Sequence, residues 1–113
     1  MQSSVDRTLA ALADPTRRGV IDLLRRKPRR ASEIADALSA TRPAMSRHLR
    51  VLRKAGLVRE HDLEHDARAR VYELERRPFE ELSSWLDEVS AFWADQLQAF
   101  KLHAERTAKR RRP

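Results

Sequence analysis

A chain of 113 residues has room for one domain, and with no cysteine it forms no disulfide and no thiolate metal site. Its formal net charge is +7, with 24 Lys plus Arg against 17 Asp plus Glu, which favours a polyanionic partner: nucleic acid or an anionic membrane surface. No apolar run approaches the length of a membrane-spanning helix. The first residues carry Asp6 and no basic segment, so they do not read as a signal peptide, and the cytosol is the expected compartment.

The charge is unevenly placed. Between Ala31 and Arg59 there are six bases (Arg42, Arg47, Arg50, Arg53, Lys54, Arg59) and only two acids (Glu33, Asp36). Pro78 to Phe100 holds five acids (Glu80, Glu81, Asp87, Glu88, Asp95) and no base. Lys101 to Pro113 is basic again, with Glu105 its one acid. A basic middle, an acidic helix and a basic end imply separate tasks.

In chain order, Val5, Leu9 and Leu12 recur at the spacing of one helix face. Asp14-Pro15 reads as an N-cap followed by proline at the first helical position, where its missing N–H costs nothing. Val20, Ile21, Leu23 and Leu24 give this second helix a buried side, and it ends near Lys27-Pro28. A short third helix follows Arg29 and Arg30, with Ile34, Ala35 and Leu38 inward. Ser39-Ala40-Thr41 is a tight turn, and the Thr41 hydroxyl suits the N-cap of a fourth helix running from about Arg42 to Ala55 and stopping at Gly56. Leu57-Val58-Arg59 and Val71-Tyr72-Glu73-Leu74 are short β-prone runs around a polar stretch, a hairpin with an extended loop. From Pro78 a long helical pattern resumes in Phe79, Leu82, Leu86, Val89, Trp93, Leu97 and Phe100, widened by Trp85 and Phe92. The last residues, 106–113, lack apolar periodicity and are expected to form a basic disordered tail beside a single domain of residues 1–105.

The fourth helix carries the sharpest signal. At 100° per residue Met45, Leu49 and Leu52 cluster on one side, while Pro43, Arg47 and Arg50 lie roughly opposite with Ser46 on a flank. A charged outer face is normal for any surface helix. Here it follows a short helix, a three-residue turn and a capped start, contains no acid, and precedes a hairpin. That combination suits the DNA major groove, where arginine pairs bidentately with guanine and the helix N-terminus reaches base edges. Arg53 and Lys54, further along, are placed for phosphates.

These residues resemble the ArsR/SmtB family of winged helix regulators, in the branch without metal-binding cysteines. The resemblance rests on Ala10-Leu12-Ala13-Asp14-Pro15-Thr16-Arg17-Arg18, on Ser32-Glu33-Ile34-Ala35, and on the specific run from Thr41 through Leu52 to Ala55-Gly56-Leu57-Val58. Val71-Tyr72-Glu73-Leu74 and Phe92-Trp93 extend it, so that it spans about residues 5 to 105. It implies a mainly α winged helix-turn-helix with a small β-hairpin, four helices preceding the hairpin and a fifth following it. It implies a homodimer built from the first and last helices and a repressor of a pseudo-palindromic double-stranded DNA operator, released by an inducer that the sequence does not identify. Carried over by position, the DNA-reading residues are Thr41, Arg42, Pro43, Ser46, Arg47, His48 and Arg50, with Arg68 and Arg70 in the wing. The dimer surface would comprise Val5, Leu9, Leu12, Leu82, Trp85, Leu86, Val89, Phe92, Trp93, Leu97 and Phe100. Two departures stand out. The wing has no glycine and holds Glu60, Asp62, Glu64, Asp66 and Glu73, which weakens the case for its contact with phosphates, and the tail is more basic than the fold needs.

Other chemistry finds little support. The third helix lacks the cysteines of metal-sensing relatives, and Asp95 and His103 have no second histidine. His61, Asp62, His65 and Asp66 are hard donors close in sequence, but a solvated loop explains them better. No cofactor or metal is expected, and no nucleophile, base and oxyanion donor come together, so the chain does not read as an enzyme. Trp85, Phe92 and Trp93 fit core or dimer packing better than a ligand pocket. Two rival readings remain: a nucleoid-type binder with weak sequence preference, and a winged-helix module that docks an acidic protein.

Overall fold

The computed structural model describes residues 3–62 and 70–111. Its elements run α1 (Ser4–Ala11), α2 (Pro15–Leu24), α3 (Ala31–Ala37), α4 (Arg42–Lys54), β1 (Val58–Asp62), β2 (Arg70–Leu74) and α5 (Arg76–Arg111). This is the expected mainly helical order with a hairpin before the last helix. Two compact units divide the chain, residues 1–82 and residues 83–113.

In the first unit the helices start where a side chain can take an orphan backbone N–H. The Ser3 hydroxyl accepts from the Asp6 N–H at 3.1 Å, and the Asp6 carboxylate accepts from the Ser3 N–H at 3.2 Å. Asp14 Oδ1 accepts from the N–H groups of Thr16 at 2.8 Å and Arg17 at 3.1 Å, ahead of Pro15. The Arg30 N–H donates to Glu33 at 3.2 Å at the head of α3. Thr41 Oγ1 accepts from the Ala44 N–H at 3.2 Å at the head of α4. That helix ends at Gly56, whose φ of 81° lies in the region glycine tolerates best.

The core is one cluster that includes Val20, Leu24, Ile34, Met45, Leu49, Leu52, Leu57 and Val58. Each such side chain contributes about 1.5–3 kcal/mol on leaving water, so the inward side of α4 is firmly seated. Leu12 and Phe79 pack against the same cluster. Leu12 therefore serves its own core, although its spacing with Val5 and Leu9 places it equally well on a dimer surface. Thr8 is fully buried, its hydroxyl donating to the Ser4 carbonyl at 2.9 Å.

The hairpin is antiparallel, with Val58 opposite Leu74, Arg59 opposite Glu73, Glu60 opposite Tyr72, His61 opposite Val71 and Asp62 opposite Arg70. The strands reach further than their β-prone cores suggest. His61 and Asp62, expected in the extended loop, and Arg70, expected just ahead of the second β-prone run, are paired here, because cross-strand partners of opposite charge stabilise polar positions that propensity alone disfavours. Arg29 adds an unexpected rung: its N–H donates to the Tyr72 carbonyl at 3.1 Å, and the Tyr72 N–H donates to the Arg29 carbonyl at 2.8 Å.

α5 opens with Arg76-Arg77-Pro78, and proline in a first turn removes no helical hydrogen bond. Arg77 Nε lies 3.2 Å from Glu81, four residues on. A hydrogen bond from Ser4, foremost, and then Arg77 hold the Glu81 carboxyl below its usual value, joining the start of α5 to α1.

The second unit is the rest of α5. It continues to Arg111, beyond the boundary at 106 where a disordered tail is expected. Ala104, Glu105, Arg106, Ala108, Lys109 and Arg110 are good helix formers with no glycine or proline among them, and helix propensity needs no apolar period. Trp85, Leu86, Phe92, Trp93, Leu97, Phe100 and Leu102 are all exposed on this helix. Phe92 and Trp93 meet edge-on, with ring centroids 5.8 Å apart.

Candidate nucleic-acid interface

The outer side of α4 is built by its inner side. With Met45, Leu49 and Leu52 sunk in the core, the helical period turns Pro43, Ser46, Arg47 and Arg50 outward, and all four are exposed. Thr41 and Arg42 are exposed at the capped start. Arg42, Arg47 and Arg50 have no hydrogen-bond or ion-pair partner among the described residues. The helix dipole adds positive potential at the same end, where Thr41 takes the Ala44 N–H and Pro43 has none to offer. The face can therefore offer guanidinium forks, a hydroxyl and a positive helix end to a polyanion.

His48 is different. It is half-buried, with Nδ1 3.4 Å from Arg17 NH1, and Arg17 in turn donates from Nε to the Ala11 carbonyl at 2.6 Å. His48 thus braces α4 against the α1–α2 corner, whereas its place in the family pattern aligns it with the outward readers. The Asp14 carboxyl at that corner is held below its usual value, by the Arg17 N–H first and, more weakly, by the Thr16 N–H and His48.

The residues assigned to phosphates divide sharply. Arg53 is ion-paired with Glu60 of β1. Arg70 reaches Asp62 at 3.0 Å and Glu60 at 3.4 Å, and these acids hold its guanidinium above the usual value, Asp62 foremost. Burial, and then the Glu60 carboxylate, raise the Tyr72 phenol. On the opposite side of the hairpin Arg59 sits 2.5 Å from Glu73 and 3.3 Å from Glu75, with His61 Nδ1 also 3.2 Å from Glu73. The base of the wing is thus a web of compensated charge, built by the acids that set this wing apart from the family pattern. Lys54 has no ion-pair partner among the described residues and lines a hollow between α1 and α4 with Ala10 and Val51. Arg68, His65 and Asp66 lie outside the described residues. Of the suggested metal donors, His61 and Asp62 are engaged with Glu73 and Arg70, while Asp95 and His103 are exposed on α5. No group of three His, Asp or Glu side chains suited to a metal occurs among the described residues.

Glu60 and Arg17 are organising residues that sequence reasoning misses. Neither stands on an apolar stripe; the signal for Glu60 is strand register, and for Arg17 the approach of α2 to α4.

Comparisons with known proteins agree with this architecture. Residues 14–60 match the model of the "Bacterial regulatory protein, arsR family". The chain is 37% identical over 97 residues to the HTH-type transcriptional regulator Rv2034 of Mycobacterium tuberculosis, covering 86% of this chain and 85% of that protein. It is 37% identical over 51 residues to the transcriptional repressor SdpR of Bacillus subtilis, covering 45% of this chain and 57% of that one. Among solved structures, an ArsR family transcriptional regulator, RHA00566, superimposes with a TM-score of 0.72 at 33% identity, covering 81% of this chain and 98% of that one.

Proposed function

Because this chain belongs to the ArsR family of bacterial regulatory proteins and is a DNA-binding transcriptional regulator, not an enzyme, we propose that it acts as a homodimeric repressor. It binds a pseudo-palindromic operator and blocks polymerase there. The observation that carries this reading is the outward face of α4, where exposed Arg42, Arg47 and Arg50 stand beside Ser46 and Pro43 without protein partners among the described residues. Thr41 and Arg42 lie against the backbone at the helix start, Ser46 and Arg47 face base edges, and Arg50 spans base and phosphate. Arg53, Lys54, Arg68 and Arg70 act on phosphates, Arg53 and Arg70 only after leaving their carboxylates. His48 works through the seating of α4.

A second copy covers the exposed apolar residues of α5, from Trp85 and Leu86 through Phe92, Trp93 and Leu97 to Phe100, together with Leu82, Val89, Val5 and Leu9. Exposed apolar side chains in this number mark a surface that is covered in the working protein. Residues 1–105 form the DNA-binding and dimerisation domain, and the basic residues beyond them add phosphate contacts. The protein works in the cytoplasm, on the nucleoid.

The test is footprinting of the protein across the bacterial genome, followed by transcription in vitro from the promoter at its strongest site. Protection of a two-fold site with loss of transcript is the expected result. Uniform, sequence-indifferent protection would replace this reading with a nucleoid-type binder.

A further inference from the structure

A second surface of the first unit has chemistry that the DNA-reading face does not use. The end of α2, the end of β2 and the start of α5 line an open surface hollow of about 450 Å³. Leu24, Leu74 and Phe79 give it an apolar floor, and all three belong to the core or pack against it. Arg25, Arg26, Lys27 and Arg76 stand around it, Arg25 paired with Asp22 at 3.5 Å and Arg76 lying 3.9 Å from Glu80. The end of α2 is closed by main-chain bonds, Arg25 N–H to Ile21 O at 2.9 Å and Arg26 N–H to Leu23 O at 3.2 Å. The side chains of Arg26 and Lys27 are exposed and make no hydrogen bond or ion pair among the described residues. Two acids also line the hollow, Glu73 and Glu75, but both are turned to Arg59, at 2.5 and 3.3 Å. The uncompensated charge at its edge is therefore positive.

An apolar floor beneath unpaired cations fits a small organic anion with an apolar body, and the volume lies in the range of small-molecule sites. A purely inorganic anion would leave the floor unused, and a neutral hydrophobe would leave the cations unused. We propose that this hollow is a ligand site for an organic carboxylate with an aromatic or aliphatic body, and that its occupancy changes DNA affinity. Its walls belong to three elements with separate tasks. α2 is braced against α4 through Arg17 and His48, β2 carries the wing, and the start of α5 carries Phe79 into the core. A ligand that draws these walls together acts on the seat of the reading helix without touching its outer face. The regulatory half of this proposal rests on the reading of the chain as a DNA-binding regulator; the binding half does not.

The experiment titrates the full chain with 2-naphthoate and, separately, with neutral 2-naphthamide, followed by amide NMR shifts. Saturable naphthoate binding is expected, with shifts centred on Leu24, Leu74 and Phe79. Arg26→Gln/Lys27→Gln should weaken naphthoate at least about tenfold while leaving amide binding and the melting temperature as in the wild type. Saturating naphthoate should change affinity for a duplex selected by the wild type by about fivefold or more. Four results would overturn the proposal: equal binding of the amide, shifts centred elsewhere, no loss in the double variant, or no saturable binding in the millimolar range. Unchanged DNA affinity at saturation would remove its regulatory half. A chain that bound no DNA would sink the regulator reading, and the titration would still decide the site.

Discussion

Arg53, in the last turn of α4, and Glu60, in β1, form an ion pair that ties the reading helix to the wing. The same carboxylate takes Arg70 at 3.4 Å, so one acid occupies two guanidiniums assigned to phosphates. If these arginines act on phosphates, DNA has to displace it and bears its repulsion. An exposed ion pair is worth up to about 1 kcal/mol, so the restraint is modest and salt-sensitive. Glu60→Gln should therefore raise affinity for operator and random duplex alike, by about three- to tenfold at low salt, with a steeper salt slope. Fluorescence anisotropy at several salt concentrations measures this. Weaker binding by the variant would show instead that Glu60 aims the two arginines at phosphate.

Two carboxylates tie stability to pH. Backbone N–H groups, chiefly that of Arg17, hold Asp14 below its ordinary value of 3.8, and the Ser4 hydrogen bond holds Glu81 below 4.5. A carboxyl lowered in the folded state stabilises the fold above its unfolded pKa, and that contribution disappears as pH falls through the folded one. The melting temperature should be flat from pH 7 to about 5 and fall below about 4. At neutral pH Asp14→Ala should lower it by about 4–8 °C, and Asp14→Asn by much less, since asparagine keeps the capping oxygen. Circular dichroism melts across this range would decide, and equal losses in the two variants would count against a capping role.

The exposed apolar residues of α5 call for a partner. If a second copy covers Trp93, Trp93→Asp puts a charge into that contact, and losing such an anchor costs about 2 kcal/mol or more. The dimer dissociation constant should rise at least about thirtyfold. Light scattering at micromolar concentration should then report a monomer for the variant and a dimer for the wild type. A monomeric wild type would overturn the dimer.

What the sequence disclosed follows from the range of the forces involved. Caps and breaks act within a few residues, so Asp14-Pro15, Thr41 and Gly56 mark their helix ends directly. The inward side of α4 is a period, and Met45, Leu49 and Leu52 take the places that period assigns. The pairing of Arg53 with Glu60 depends on the approach of a helix to a strand, and that of Asp62 with Arg70 on the register between the two strands. Nothing local encodes either. His48 is instructive in another way. It sits beside Arg47 in the chain, but one step around the helix turns it from the outward face to the α2 side, where Arg17 takes it. The C-terminal residues mislead for the opposite reason. Absence of an apolar period suggests absence of structure, whereas alanine, glutamate, lysine and arginine sustain a helix through propensity alone.

The end of α5 offers a further test. Lys109 and Arg110 are exposed, and with Arg111 and Arg112 they form a run of four bases. Such a run attracts phosphates without reading bases. Truncation before Lys109 should weaken operator and random DNA by the same factor and flatten the salt dependence by about 0.9 for each phosphate no longer neutralised. If operator binding alone suffered, these residues would be reading sequence.

Arg47 carries the most specific expectation. It stands near the centre of the exposed side of α4, between one and two turns past the Thr41 cap, with no partner among the described residues to hold it back. Its fork is free to meet guanine O6 and N7 in the major groove. Arg47→Ala should cost about 1–3 kcal/mol per half-site and relax preference at one base position. In a two-fold dimer the relaxed position should appear in both half-sites, about one DNA turn apart. Arg53→Ala should leave the preferred sequence intact. Its effect on affinity should also be small, because the arginine it removes is already engaged by Glu60. Binding-site selection with each variant compares the two directly. A wild-type consensus from Arg47→Ala, together with an altered one from Arg53→Ala, would move base reading away from the outward face of α4 and towards the wing.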